Sequence, residues 1–153
     1  YFLQFLKSES CGKCFSCRVG IQRMLEIYDR LTTGSASIED LDLLEELAVT
    51  VKDTSMCGLG QTSANPVLST LRYFRDEYLA HVRDKRCPAG VCRSLFRYSI
   101  DQDSCIGCGS CAEQCHAGAI VEMEEGCYSI NPELCTRCGA CVEACVSDAI
   151  MKE

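Results

Sequence analysis

Apolar residues recur at helical spacing through the first half of the chain, then give way to cysteine-rich turns flanked by short alternating segments. Between Phe15 and Leu31 they fall at Phe15, Val19, Ile21, Met24, Leu25, Tyr28 and Leu31, close to one helical face, and Gly34 follows as a terminating glycine. Ser37 opens a second helix with Asp40 three residues on as a capping partner, and its stripe runs Ile38, Leu41, Leu44, Leu47, Val51. A glycine-rich turn is expected at Cys57-Gly58-Leu59-Gly60. Asn65 is expected to cap a third helix with Pro66 at its first position; Leu68, Leu71, Tyr78, Leu79 and Val82 supply its apolar surface. With the opening segment this predicts a small four-helix bundle. Beyond Arg86 the period changes, and Ser94 to Ile100 alternates as a short strand should. The expected class is α+β.

An internal repeat follows. Residues 103–120 recur thirty positions later as residues 133–150, with four cysteines, Gly109/Gly139, Glu113/Glu143 and the Ala-Ile pair in register. Each copy is too small for a core of its own, so the two are expected to pack as pseudo-symmetric halves. The expected organisation is a helical domain over 1–80, a linker over 81–94 and a repeat domain over 95–153.

Composition sharpens the picture. The chain has 15 cysteines in 153 residues, about a tenth of the chain and a level that points to a disulfide scaffold or metal binding. Most fall in tight C-x-x-C series whose members share one turn, which suits a metal cluster and not a web of bridges. The net charge is −7, concentrated after Arg86, which argues against nucleic acid and for docking to a basic patch on another protein. No apolar run is long enough to span a membrane, and no signal-peptide pattern is seen. The start, Tyr1-Phe2-Leu3-Gln4-Phe5-Leu6, is already in apolar pattern and reads as the middle of a longer polypeptide. A cytoplasmic location is expected.

Both copies of the repeat space their cysteines C-x2-C-x2-C-x3-C. Three sulfurs on one turn reach three corners of a [4Fe–4S] cube. The fourth cysteine, expected to open a helix toward the other half, ligates the other cube. One cluster is therefore assigned to Cys105, Cys108, Cys111 and Cys145, and the second to Cys135, Cys138, Cys141 and Cys115. Gly107, Gly109, Gly139 and Ala140 are small enough to let backbone N–H groups approach the sulfurs. In the first half Cys11, Cys14 and Cys17 precede a helix and Cys57 returns after a helical hairpin. One cube or one zinc ion would fit that spacing, with Lys13, Arg18 and helix N-termini favouring an anionic group.

Residues 95–150 resemble a bacterial-type dicluster ferredoxin domain, although His116 and Val146 stand where that family has proline. The departure bears on turn stiffness and cluster potential. Residues 1–80 resemble the C-terminal helical domain of the NADH-binding flavoprotein subunit of respiratory complex I and its relatives in NAD(P)-linked hydrogenases and formate dehydrogenases. Glu9 to Gly20 and Ser55 to Gly60 match its E-S-C-G-x-C-x-P-C-R-x-G and S-x-C-x-L-G motifs, with Ser16 replacing proline. That resemblance implies a [4Fe–4S] cluster on Cys11, Cys14, Cys17 and Cys57. The two modules in this order resemble the flavoprotein subunit of NAD(P)-dependent, often electron-bifurcating [FeFe]-hydrogenases. The resemblance implies FMN and NAD(P) sites in an upstream domain. It also implies a thioredoxin-like [2Fe–2S] subunit and a hydrogenase catalytic subunit as partners, and exchange with soluble ferredoxin.

Cys87, Cys92 and Cys127 remain. His81, Cys87 and Cys92 resemble three ligands of a structural zinc site with the fourth missing or elsewhere; the alternative is a set of thiols in a reducing compartment. Cys127 reads as an unligated strand residue, or as completion of such a site. No G-x-G-x-x-G nucleotide loop and no catalytic triad is present, so the expected role is electron transfer within an oxidoreductase. Alternatives are the same modules in an NAD-linked formate dehydrogenase or a ferredoxin:NAD oxidoreductase, and, from another class, a zinc-stabilised interaction module.

Overall fold

The computed structural model describes residues 1–123 and 126–152. The chain divides into two compact units, Tyr1–Leu95 and Phe96–Glu153. Residues 81–94, read from the sequence as a linker, are counted with the first.

The first unit is helical: α1 (Phe2–Glu9), α2 (Phe15–Thr33), α3 (Ile38–Thr54), α4 (Gly58–Tyr73) and α5 (Arg75–Leu79). α5 runs into a π-helical turn, Ala80–Asp84, and a 3-10 turn follows at Arg93–Leu95. Ile21, Met24 and Ile27 of α2, Leu41, Leu44 and Val51 of α3, and Val67 of α4 are fully buried in one core, each worth about 2 kcal/mol relative to exposure. α2 and α3 approach closely because Gly20 has no Cβ where Val51 packs. Gly34 ends α2 in the left-handed conformation at φ 81°, its N–H returned to the last turn, as its position in the sequence predicts. Asp40 accepts the Ser37 N–H at 2.9 Å, the expected cap of α3.

Three expectations fail here. Asn65 does not begin a helix, because α4 starts at Gly58 and carries Pro66 in its interior. The segment read as a glycine turn is the first turn of that helix. A mid-helix proline costs about 3 kcal/mol. The face formed by Gly60, Ser63, Ala64, Val67 and Leu71 is buried against the core and offsets it. The strand foreseen over 94–100 shrinks to Tyr98–Ile100, because Leu95 turns into the first unit and packs over Gly34.

In the second unit, β1 (Tyr98–Ile100) pairs antiparallel with β4 (Ile150–Lys152), and β2 (Ile120–Glu122) with β3 (Tyr128–Ile130). The start of each copy is thus bonded to the end of the other. Asp101 N donates to Ala149 O at 2.8 Å, and its counterpart Asn131 N donates to Ala119 O at 2.7 Å. Two short helices, α6 (Ser110–Glu113) and α7 (Ala140–Ala144), lie in the cysteine runs. The fourth cysteines do not open helices, contrary to expectation: Cys115 follows α6, and Cys145 caps the C-terminus of α7.

Candidate metal centres

The exchange of strands brings the cysteines of the second unit together crosswise. Cys105, Cys108 and Cys111 line a cavity with Cys145 from the other copy, while Cys135, Cys138 and Cys141 line another with Cys115. The two cavities are lined by matching positions of the two copies, as pseudo-symmetry requires. Their remaining walls are mainly apolar, with Ile100, Ala149 and Ile150 on one and Ala119, Ile120 and Ile130 on the other. Four thiols facing one walled space without a carboxylate form a soft donor set, the kind that holds iron–sulfur clusters. The residues present fit the group.

Backbone geometry serves the sulfurs. Gly109 and Gly139 adopt φ of 78° and 89° before α6 and α7, which lets each run turn around its cavity. A Cβ on Gly109 would stand 3.1 Å from the Tyr128 hydroxyl, and one on Gly139 3.3 Å from that of Tyr98. The Ala119 and Ala149 N–H groups donate to Cys115 and Cys145 Sγ, both at 3.3 Å. Burial pushes the Cys111 and Cys141 thiols up. Cys108 is held below its ordinary value by hydrogen bonds from the Ser110 backbone and hydroxyl. Burial also acts to raise Cys145, but Ser147, whose Oγ lies 3.7 Å from the sulfur, turns the balance downward.

In the first unit, Cys14 and Cys57 occupy the N-cap positions of α2 and α4. Cys17 lies within the first turn of α2 instead of preceding the helix, and is the buried member of the four. The beginnings of the two helices touch, since a Cβ on Gly60 would come 3.3 Å from Cys17 Cβ. Cys11 sits in a loop tied down by Arg18 Nη1, which donates to Gly12 O at 3.0 Å. Ser10 Oγ lies 3.4 Å from Cys17 Sγ. Two helix N-termini beside four cysteines favour a negatively charged occupant.

His81, Cys87 and Cys92 converge, with ligand atoms all within 4.8 Å of one another. Nε2 of His81 lies 3.5 Å from Cys92 Sγ, while Nδ1 meets the Glu77 carbonyl at 2.7 Å, so the ring is oriented from behind as metal-binding histidines are. Against burial, N–H groups of Cys92 and Val91 bring the Cys87 thiol down to about 7, and burial with the neighbouring Cys87 pushes Cys92 up to about 11. Among the described residues it is the one such tight group. Cys127 lies in the second unit, just before β3, with its sulfur 4.0 Å from the Cys105 carbonyl.

Residues 1–81 match the model of the NADH-ubiquinone oxidoreductase-F iron–sulfur binding region. The chain belongs to that family. Residues 104–150 also match a 4Fe-4S dicluster domain. An NADP-reducing hydrogenase subunit, HndC, of Solidesulfovibrio fructosivorans is 52% identical over 115 residues, 75% of this chain and 24% of its own. One subunit of the NADH-quinone oxidoreductase of Mycobacterium tuberculosis is 48% identical over 85 residues, 56% of this chain and 19% of its own. The chain therefore spans a quarter or less of these relatives, both of which are subunits of oxidoreductases. The region matched by that family contains Cys11, Cys14, Cys17 and Cys57. Spacing alone does not single out Ser10, Ser110 and Ser147; the two in the repeat show only as mismatches between its copies.

Proposed function

We propose that this chain is the electron-transfer part of the flavoprotein subunit of an NAD(P)-linked hydrogenase complex. It would hold [4Fe–4S] clusters on Cys11, Cys14, Cys17 and Cys57, on Cys105, Cys108, Cys111 and Cys145, and on Cys135, Cys138, Cys141 and Cys115. The crossed pairing of the cysteines around two matched cavities carries the reading. When bound, each cluster supplies a one-electron store without proton or ligand loss. The chain's own residues supply the thiolates, exclude water with apolar walls and direct N–H and O–H groups at sulfur. The hydrogenase assignment, over the complex I type, rests on the HndC match, which runs 115 residues where the match to the NADH-quinone oxidoreductase chain stops at 85.

His81, Cys87 and Cys92 would hold a structural zinc ion. A single zinc ion draws its thiolates to within about 4 Å of one another. The junction is compact enough for this, while the other cysteines form no comparably tight triad among the described residues. FMN and NAD(P) would be bound upstream, and the partners would be a thioredoxin-like [2Fe–2S] subunit, a hydrogenase catalytic subunit and ferredoxin. Among the described residues no helix is long and apolar enough to cross a membrane.

Anaerobic purification of the full-length polypeptide with its co-purifying subunits tests the proposal. About twelve irons assignable to this region and hydrogen-dependent NAD(P) reduction are expected. Iron-free protein carrying several zincs would make it the interaction module instead.

A further inference from the structure

Among the described residues two polar side chains are buried, Ser55 and Ser63, both in the helical unit. Ser63 is satisfied, because its hydroxyl donates to the Gly60 carbonyl at 2.6 Å. Ser55 Oγ meets no hydrogen-bonding group among the described residues. The Ser55 backbone, by contrast, is tied on both sides: its N–H donates to Val51 O at 3.1 Å, and its carbonyl accepts Gln61 Nε2 at 3.1 Å. The residue is thus fixed in place with its hydroxyl left over. Its side chain lies against the first turn of α4, where a Cβ on Gly60 would meet both Ser55 and Cys17 Cβ. Cys57, the N-cap of α4, follows two residues later. A second serine reaches the same cysteine from the end of α1, for Ser10 Oγ lies 3.4 Å from Cys17 Sγ. Ser10 Oγ accepts the Gly12 N–H, also at 3.4 Å, which leaves its own proton for the sulfur.

Resting on the cluster reading above, we propose that Ser55 and Ser10 are hydroxyl donors to the Cys17 side of the centre held by Cys11, Cys14, Cys17 and Cys57, and that they raise its reduction potential. A buried hydroxyl without a partner is unfavourable, and the fold tolerates one at Ser55 beside the four cysteines. Sulfur bound to iron carries no proton, so it accepts hydrogen bonds and cannot donate them; the serine oxygen is the donor in both contacts. A donor withdraws charge from sulfur, and this stabilises the reduced, more negative centre more than the oxidised one. Burial strengthens the effect of Ser55, since a dipole aimed at charge away from water is weakly screened. Reduction adds one electron, supplied by a low-potential reductant; no bond forms or breaks and no proton has to move.

The test is a redox titration followed by low-temperature EPR on the full-length polypeptide, loaded with iron and sulfide, with pulsed hyperfine spectra recorded in light and heavy water. In the wild type an exchangeable proton should couple to the centre that Cys57→Ser alters or removes. Ser55→Ala should take up full iron, lose part of that proton signal and lower the midpoint of that centre alone. Ser10→Ala should lower the same midpoint. Ser10→Thr, which keeps the hydroxyl on a half-buried side chain, should retain the wild-type value, a rescue that a packing role would not give. An unmoved midpoint and unchanged proton spectrum in fully loaded Ser55→Ala, or serine variants that move different centres, would overturn the inference and leave the cluster reading intact. Wild-type protein that takes up no iron and sulfide would overturn both.

Discussion

Gly60 lies so close to Ser55 and Cys17 that a Cβ on it would overlap the Ser55 side chain and stand 3.3 Å from Cys17 Cβ. The contact joins the first turn of α4 to the first turn of α2, the two turns that carry Cys57 and Cys17. Ser55 is 5% exposed and its hydroxyl has no hydrogen-bond partner among the described residues. Such a group carries a penalty of about 1–3 kcal/mol unless something in the adjacent site accepts from it. Gly60→Ala should therefore separate the helix starts, costing about 1–3 kcal/mol, and lower iron by roughly a third through loss of one cluster of three. Gly58→Ala is the control, since its Cβ would meet nothing within 4 Å; it should keep full iron and an unchanged melting curve. Equal iron in both variants would show that this contact does not shape the site.

Asp40 does two jobs, accepting the Ser37 N–H and pairing with Arg30 of α2. The Arg30 hydrogen bond holds its carboxyl below the usual range. A depressed carboxylate pKa means that the stabilisation is fully present above the unfolded-state value, about 4, and is lost as pH falls through the folded value. Asp40→Asn should cost about 1 kcal/mol at pH 7. Urea unfolding at pH 7 and again near pH 3 should show the variant and wild type converging on the acidic side. A constant difference would mean that the carboxylate charge contributes nothing.

At the junction, His81→Ala should release one zinc per polypeptide while leaving iron unchanged, as measured by elemental analysis of the intact protein. Nδ1 of His81 is already engaged by Glu77 O, so Nε2 is the nitrogen left to face Cys92. Cys92→Ser should act in the same direction. Zinc retained in both would remove the site.

How much of this is legible in the sequence follows from what spacing encodes. The face of α2 from Ile21 onward, its glycine stop and the cap of α3 are local patterns that the chain follows, while Phe15, counted in that face, is exposed. Pro66 misleads because a helix-breaking residue is a local signal, overridden here by the burial of Ser63, Ala64 and Val67. The strand at 94–100 is shorter than its pattern suggests because alternation says nothing about which unit will claim Leu95. The grouping of His81 with Cys87 and Cys92 is legible from residue type and spacing, whereas the π-helical turn at Ala80–Asp84 that carries His81 is announced by no sequence period. The Ser147 contact with Cys145 is local, two residues apart, but that Cys145 faces the cavity of Cys105, Cys108 and Cys111 comes only from the crossed copies.

That crossing can itself be tested by asking which distant substitutions act on the same centre. Cys145 follows Cys105 by forty positions, yet lines the same cavity. Cys145→Ala removes the fourth thiol from the site containing Cys105, Cys108 and Cys111. The midpoint lost or replaced by that of a three-iron centre in Cys145→Ala should be the same one affected by Cys105→Ala, while the other cluster of the domain keeps its own. Uncrossed pairing makes the opposite forecast: Cys115→Ala would act on the centre affected by Cys105→Ala and Cys145→Ala would spare it. The strand register favours the crossed outcome. Ala149, whose N–H donates to Cys145 Sγ, also accepts the Asp101 N–H through its carbonyl, so the fourth ligand of one copy is anchored at the root of the other.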